Sequence, residues 1–425
     1  MKLSCSLYFS AFTVALGFAQ ARVRTGYEVF YDDIKNDCVD LNLRHAFILN
    51  PTSVTQEKEL LIEQLAATTN ITIAGVASPE HGFRGNAQDG ASNANVVYKD
   101  VVTGIDIYDG YAFRTGAAWA KSFNDMKADV VVFDIQDIGA RFYTYIWTMY
   151  DSMVGAALSG KKYIVLDRPN AIGADRVEGP VILPGFESFI GRKPIANVHG
   201  MTVGELAVLF NNEFLPKDPQ LVNVTNKMID LDVIKMENYS REMTFTDTGL
   251  PWVMPSPNIP TPESALVYAG QGMFEGTVLS EGRGTTRPFE MFGHPNLTDF
   301  NLRKFSDAVK DLNLPGVSFR EMYITVTSAN TTKFNSKVIG GLQVYPDDKK
   351  VYNAFTATIN LFVTLKKLLP DVVFGYRSDN YLKLLYGSNR LRDMLDAGNS
   401  ASDIIASYQT ELAAFKATRA KYLLY

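Results

Sequence analysis

The sequence predicts an α/β fold: a mostly parallel sheet flanked by helices, followed by a second, smaller α/β domain. Three observations predict it. Short unbroken apolar runs alternate with amphipathic stretches through the first half, the pattern of βα units. A proline-dense segment, Pro251 to Pro262, interrupts the chain where neither a regular helix nor a central strand can continue. Finally, 425 residues exceed what one compact core usually organises.

In chain order, the first element is not part of the fold. Lys2 precedes the uncharged, mainly apolar stretch Leu3 to Phe18, and Ala19-Gln20-Ala21 fits a small-residue cleavage site. Residues 1–21 are therefore expected to be a signal peptide, and the mature chain to be secreted or periplasmic and free of membrane. No later stretch approaches the roughly 18 apolar residues of a membrane span. Of the two cysteines, Cys5 leaves with this segment. Cys38 then has no disulfide partner, and Asp37 and Asp40 beside it oppose a reactive thiolate.

Residues 22–250 carry the candidate strands Ala46 to Leu49, Ile71 to Val76, Val130 to Phe133 and Tyr163 to Leu166. Runs without polar alternation suit strands covered on both faces. Helices are expected over Gln56 to Ala67, Phe142 to Leu158 and Val203 to Phe214. Residues 251–262 form the junction. Residues 263–425 should supply strands near Met322 to Thr327 and Gly341 to Tyr345, and a long amphipathic helix from Ala401 to Leu424.

Function classes narrow quickly. The formal net charge of −5 leaves no general basic surface for nucleic acid. Nucleotide-binding loops, the Gly-x-Ser-x-Gly elbow and His-Glu-x-x-His are absent, and four histidines supply a metal centre poorly. Neither a metal nor a cofactor is expected. Five Asn-x-Ser/Thr sequons, at Asn70, Asn223, Asn238, Asn296 and Asn330, matter only in a glycosylating host.

The loops after the four candidate strands are the strongest physical pointer. Asn50-Pro51-Thr52-Ser53, PEHGFRG at 79–85, DIQDIGAR at 134–141 and Asp167-Arg168-Pro169-Asn170 all leave strand C-termini. In a parallel sheet these termini share one edge, where ligands bind. Glu80 is singled out first, with His81 and Arg84 in its turn; an ion pair with Arg84 is the purely structural alternative. Asp134, Gln136 and Arg141 beside Tyr143 combine polar forks with aromatic faces, as sugar recognition requires, although Asp137 can equally cap the following helix. The loop Ser280 to Glu290 places Glu281, Arg283 and Arg287 among glycines, suited to an anionic group or to a solvated turn. Thr202, after His199, reads equally as a helix N-cap.

These blocks, with VEGP at 177–180, HGMTVGEL at 199–206 and PSPNIPT at 255–261, resemble the exo-lytic β-N-acetylmuramidase (NamZ-like) family over roughly residues 40 to 425. The resemblance implies a Rossmann-like N-terminal domain, a smaller C-terminal domain and an active site between them. It also implies removal of terminal N-acetylmuramic acid from peptidoglycan-derived saccharides, with the family's proposed catalytic glutamate carried over to Glu80. Glu281 or Asp134 is the candidate second carboxylate, unless the substrate's own 2-acetamido group takes that role. Candidate substrate-binding residues are Asn50, His81, Arg84, Gln136, Arg141, Tyr143, His199, Asn258, Arg283 and Arg287. Ala171 and Ile339 depart from the family's usual proline and cysteine without removing a polar group. Two other classes compete: a non-catalytic saccharide receptor, and a metal-dependent deacetylase or amidase using His81, Asp134 and His199.

Overall fold

The computed structural model describes residues 22–87, 90, 97–327, 333–370 and 374–425. The proposed signal segment and Asn330 lie outside them. Strands β1 (Arg44–Leu49), β2 (Thr72–Ser78), β3 (Val97–Lys99), β4 (Asp106–Asp109), β5 (Val130–Asp134), β6 (Lys162–Leu166), β7 (Glu178–Val181), β8 (Ala196–Val198) and β9 (Leu231–Ile234) belong to the first half. Seven of them form one sheet in the order β3-β4-β2-β1-β5-β6-β9. All pairings are parallel except that of the edge strand β3.

The unbroken apolar runs are explained by two-sided burial. Phe47, Leu49, Val130, Val132, Ile164 and Leu166 face one core with helices α1 (Gly26–Lys35) and α2 (Leu61–Thr68). Ala46, Ile48, Val131, Phe133, Tyr163 and Val165 face the other, under α3 (Gly116–Asp125), α4 (Tyr145–Ser159) and α5 (Val203–Leu209). Successive strand residues point to opposite faces, so both parities must be apolar.

The second half opens with α6 (Pro262–Gln271) and contains β10 (Met291–His294), β11 (Ser318–Thr325) and β12 (Val338–Tyr345), an antiparallel sheet in the order β10-β12-β11. Helices α7 (Asp299–Asp311) and α8 (Ala354–Leu368) follow, then α9 (Leu382–Tyr386), α10 (Arg390–Asp396), α11 (Ala401–Ala406) and α12 (Gln409–Arg419). One hydrophobic core runs continuously from the central sheet into this half. The junction is irregular to Thr261, with a turn in which the Ile259 N–H donates to Ser256 O at 3.0 Å. Thr261 caps α6 by accepting from the Ser264 N–H, and Pro262 takes the first helical turn, where its missing N–H costs nothing.

Three expected helices differ, each for a local reason. Residues 56–60 form a turn closed by a Val54–Leu60 bridge, with Lys58 at φ 70°, so the helix waits until Leu61. Arg141 N–H donates to Asn197 O at 2.7 Å, which holds 140–141 against β8 and delays α4 to Tyr145. The Ala401–Leu424 stretch breaks at Ser407–Tyr408 into α11 and α12. Ile404, Tyr408, Leu412 and Phe415 nevertheless stay on the buried face.

Candidate active site

Strand β2 delivers Glu80 through a tight reversal. His81, Gly82 and Gly85 all adopt positive φ (72°, 76° and 73°), and the Gly82 N–H closes the turn onto Pro79 O at 3.1 Å. A non-glycine residue in this conformation stores local strain, held here by the His81 Nδ1 contact to Ala87 O at 3.0 Å. The turn sets the half-buried Glu80 carboxylate into an open cleft of about 270 Å³. Glu80 Oε1 accepts from the Gly90 N–H at 3.0 Å, and Oε2 accepts from the Thr144 hydroxyl at 3.1 Å. Thr144 occupies the N-cap of α4 but makes no cap bond with its side chain, which turns to Glu80 instead.

The cleft walls are aromatic. Tyr143 packs edge-on against Tyr145 (5.1 Å) and Tyr268 (5.8 Å), and Tyr268 against Phe289 (4.5 Å). Phe142, Tyr111, Phe189 and Tyr381 complete the lining. Rings arranged this way offer faces to sugar C–H groups. The Tyr143 hydroxyl is buried in this wall beside Tyr145. Gly272 lets the second half close on this wall; a Cβ there would stand 2.6 Å from the Phe142 ring.

Two carboxylates flank Arg283, with opposite electrostatics. Glu275, on the short turn Gly272–Gly276 after α6, lines the cleft and pairs with Arg283 Nη1 at 2.6 Å. Burial raises its carboxyl above the ordinary value in spite of that arginine. Glu281 is buried behind it, with Lys333 Nζ at 2.8 Å and Arg283 Nη1 at 3.4 Å. Burial alone would raise the Glu281 carboxyl, but Lys333 and Arg283 outweigh it and hold it below the ordinary value.

Of the residues singled out from sequence, the cleft brings together Glu80, His81, Tyr143 and Arg283. The others stand elsewhere. Arg84 does not touch Glu80: it pairs with Asp100 (2.8 Å) and Glu63 (2.8 Å) on the outside. Asp134 is fully buried in a two-pronged ion pair with Arg168, whose Nη2 lies 3.1 Å from Oδ2. Gln136 spends its amide on the carbonyls of Asp137 and Pro169, both at 2.7 Å. Arg141 is buried against Asn197 Oδ1 and Leu385 O, both at 2.8 Å, tying the halves together; burial pushes it down to about 9. Arg287 is a half-exposed partner of Glu290 at 2.9 Å.

Asn50 lies buried behind the wall, its Oδ1 accepting from Thr52 N–H at 2.9 Å. His199 is buried with its Nε2 3.4 Å from Asp137 Oδ2 and its Nδ1 accepting from the Met201 N–H. Asp137 does not cap α4; it takes the Gly139 N–H at 2.7 Å. Thr202 is the N-cap of α5, in a capping box with Glu205. Asn258 is partly buried in the junction, where its neighbours Ser256 and Ile259 are the residues that reach the cleft. His81, Asp134 and His199, the imagined metal set, each have separate partners. Among the described residues no three His, Cys, Asp or Glu groups are placed to hold a metal. No described helix is long and apolar enough to cross a membrane.

Sequence reasoning missed Glu275, Tyr111, Tyr268 and Tyr381. Their only local signal is an acid between Phe274 and Gly276 just past a helix, and the ring-bearing positions read as ordinary core.

A mostly parallel α/β sheet carrying a half-buried carboxylate at a strand end, in an aromatic-walled cleft completed by a second half, defines an α/β protein with a ligand cleft at the C-terminal edge of its sheet. The family description "Exo-beta-N-acetylmuramidase NamZ, N-terminal" matches residues 46–263, and its C-terminal counterpart matches residues 266–425. The chain belongs to the exo-β-N-acetylmuramidase NamZ family of glycosidases. It is 38% identical over 404 residues to the peptidoglycan β-N-acetylmuramidase NamZ of Bacillus subtilis (strain 168), covering 95% of this chain and 92% of the relative. Two crystal structures of DUF1343 family proteins from Bacteroides fragilis NCTC 9343 share the fold. Their TM-scores are 0.82 and 0.71 at 31% and 30% identity, each covering 95% of this chain and 99% of the other.

Proposed function

We propose that this protein is a secreted exo-acting glycoside hydrolase that releases non-reducing terminal N-acetylmuramic acid from peptidoglycan fragments. The observation that carries the reading is the Glu80 carboxylate, oriented by Thr144 and the Gly90 N–H inside the aromatic cleft. In this reading the protonated Glu80 gives its proton to the glycosidic oxygen as the anomeric C–O bond breaks. Water supplies the hydroxyl that ends on the anomeric carbon, and its remaining proton restores the acid. Glu275 is the second carboxylate on the same cleft, available to support the developing positive charge. The activity named for the Bacillus relative supports the substrate. Lys2, the apolar stretch that follows it and Ala19-Gln20-Ala21 support export.

The test is incubation with a chromogenic β-N-acetylmuraminide beside the matching β-N-acetylglucosaminide. Release from the muraminide is expected. Binding of N-acetylmuramic acid with no release from either sugar would overturn hydrolysis in favour of a saccharide receptor. Export is checked by N-terminal sequencing of the protein recovered outside the cytoplasm, expected to begin at Arg22.

A further inference from the structure

Arg114 is placed unlike the other arginines around the cleft. Its guanidinium carbon sits in the corner between the nearly perpendicular rings of Tyr111 and Phe189, 4.0 Å from each centroid, and both rings line the Glu80 cleft. The corner is built by the sheet. Ser78, just before the Glu80 turn, is in register with Asp109 at the end of β4, and Asp109 Oδ1 accepts the Tyr111 N–H at 3.1 Å. This places Tyr111 beside Glu80; burial first, then the Glu80 carboxylate, raise the Tyr111 phenol above its ordinary value, against a hydrogen bond from Arg114 that lowers it. Phe189 is presented by the turn closed between Ser188 and Gly191, and meets Tyr111 edge-on at 5.8 Å.

The neighbouring cations are already paired. Arg192, 5.9 Å from the same Phe189 ring, holds Asp151 at 2.6 Å, and Arg283 holds Glu275. None of the ion pairs among the described residues includes Arg114, and its side chain is exposed. The two rings hold the guanidinium beside the cleft, where it hydrogen-bonds the Tyr111 hydroxyl, and its remaining exposed N–H groups suit a carboxylate.

We propose that Arg114, held in the corner of Tyr111 and Phe189 beside the cleft, determines specificity by pairing with a carboxylate of the saccharide substrate. The carboxylate has two sources in a peptidoglycan fragment: the free lactyl group of the terminal sugar, or the stem peptide attached through it. The proposal rests on the hydrolase reading above for its substrate, so binding is measured separately from turnover.

Binding of free N-acetylmuramic acid and of N-acetylglucosamine is compared by calorimetry in the wild-type protein, Arg114→Ala and Arg114→Lys. Arg114→Ala is expected to weaken N-acetylmuramic acid about ten- to hundredfold, the worth of a charge-assisted hydrogen bond, and to leave N-acetylglucosamine unchanged. Arg114→Lys, which keeps the charge without the fork, should recover part of the loss. Kinetics on the chromogenic muraminide should show the loss mainly in KM. A muropeptide with an amide-linked lactyl group separates the sources: a loss confined to it assigns the stem peptide, and a loss on the free sugar assigns the lactyl group. If Arg114→Ala binds and cleaves both carboxylate-bearing ligands as the wild type does, the proposal is overturned. Wild-type binding without turnover would instead count against the hydrolase reading, with Arg114 still judged by the calorimetry.

Discussion

The Thr144 hydroxyl donates to Glu80 Oε2 at 3.1 Å, joining the first residue before α4 to the turn after β2. The bond orients the carboxylate from a helix end rather than through a charge, and it survives conversion of the carboxylate to an amide.

That geometry makes Glu80→Gln a clean test. The amide oxygen can still accept from Thr144 or Gly90, and no ion pair is broken, since Arg84 pairs with Asp100 and Glu63. Turnover should fall by about 10²–10⁴-fold while thermal unfolding stays near wild type. Rate and unfolding are measured on one preparation; a folded variant within tenfold of the wild-type rate removes Glu80 as acid/base.

Glu275→Gln and Glu281→Gln should separate in kind. Glu275 lines the cleft, so its loss should reduce kcat with modest change in stability. Glu281 compensates Lys333 and Arg283 in the interior, so its loss should cost about 3 kcal/mol of stability by leaving those charges without it. Denaturant midpoints beside kcat decide the matter, and the reverse assignment would place the second carboxylate at Glu281.

Asp134→Asn should act on folding alone. The substitution leaves the Arg168 guanidinium buried without its carboxylate, a change that costs about 3–5 kcal/mol. Activity per folded molecule should persist. A correctly folded Asp134→Asn enzyme with kcat lowered a hundredfold would return Asp134 to the catalytic machinery.

Stability should also depend on pH through Glu178, at the contact between β7 and the start of α8. Burial raises its carboxyl to about 7, against roughly 4.3 for an unfolded chain. Between those values the folded state holds the proton more tightly, so the Glu178 contribution to stability falls as pH rises from about 4 to 7 and is flat above. Glu178→Gln should therefore gain on wild type in urea midpoint at pH 7.5 relative to pH 5. Equal differences at the two pH values would refute the shift.

The sequence by itself determined the sheet and the edge that carries the site. Apolar runs such as Val130 to Phe133 must be buried on both faces, and parallel strands then align their C-terminal loops on one edge, Glu80 among them. The turn that carries Glu80 and His81 was legible as well, because turn chemistry depends on near neighbours in the chain. Tertiary structure alone decided which charges pair. Asp134 takes Arg168, Glu281 takes Lys333, and Arg84 takes Asp100 rather than Glu80. It also decided that Glu275 and Tyr268 reach the cleft while Arg141 and Arg287 do not. Ion pairing and desolvation depend on distance and burial in space, and partners tens of residues apart leave no periodic trace in the chain.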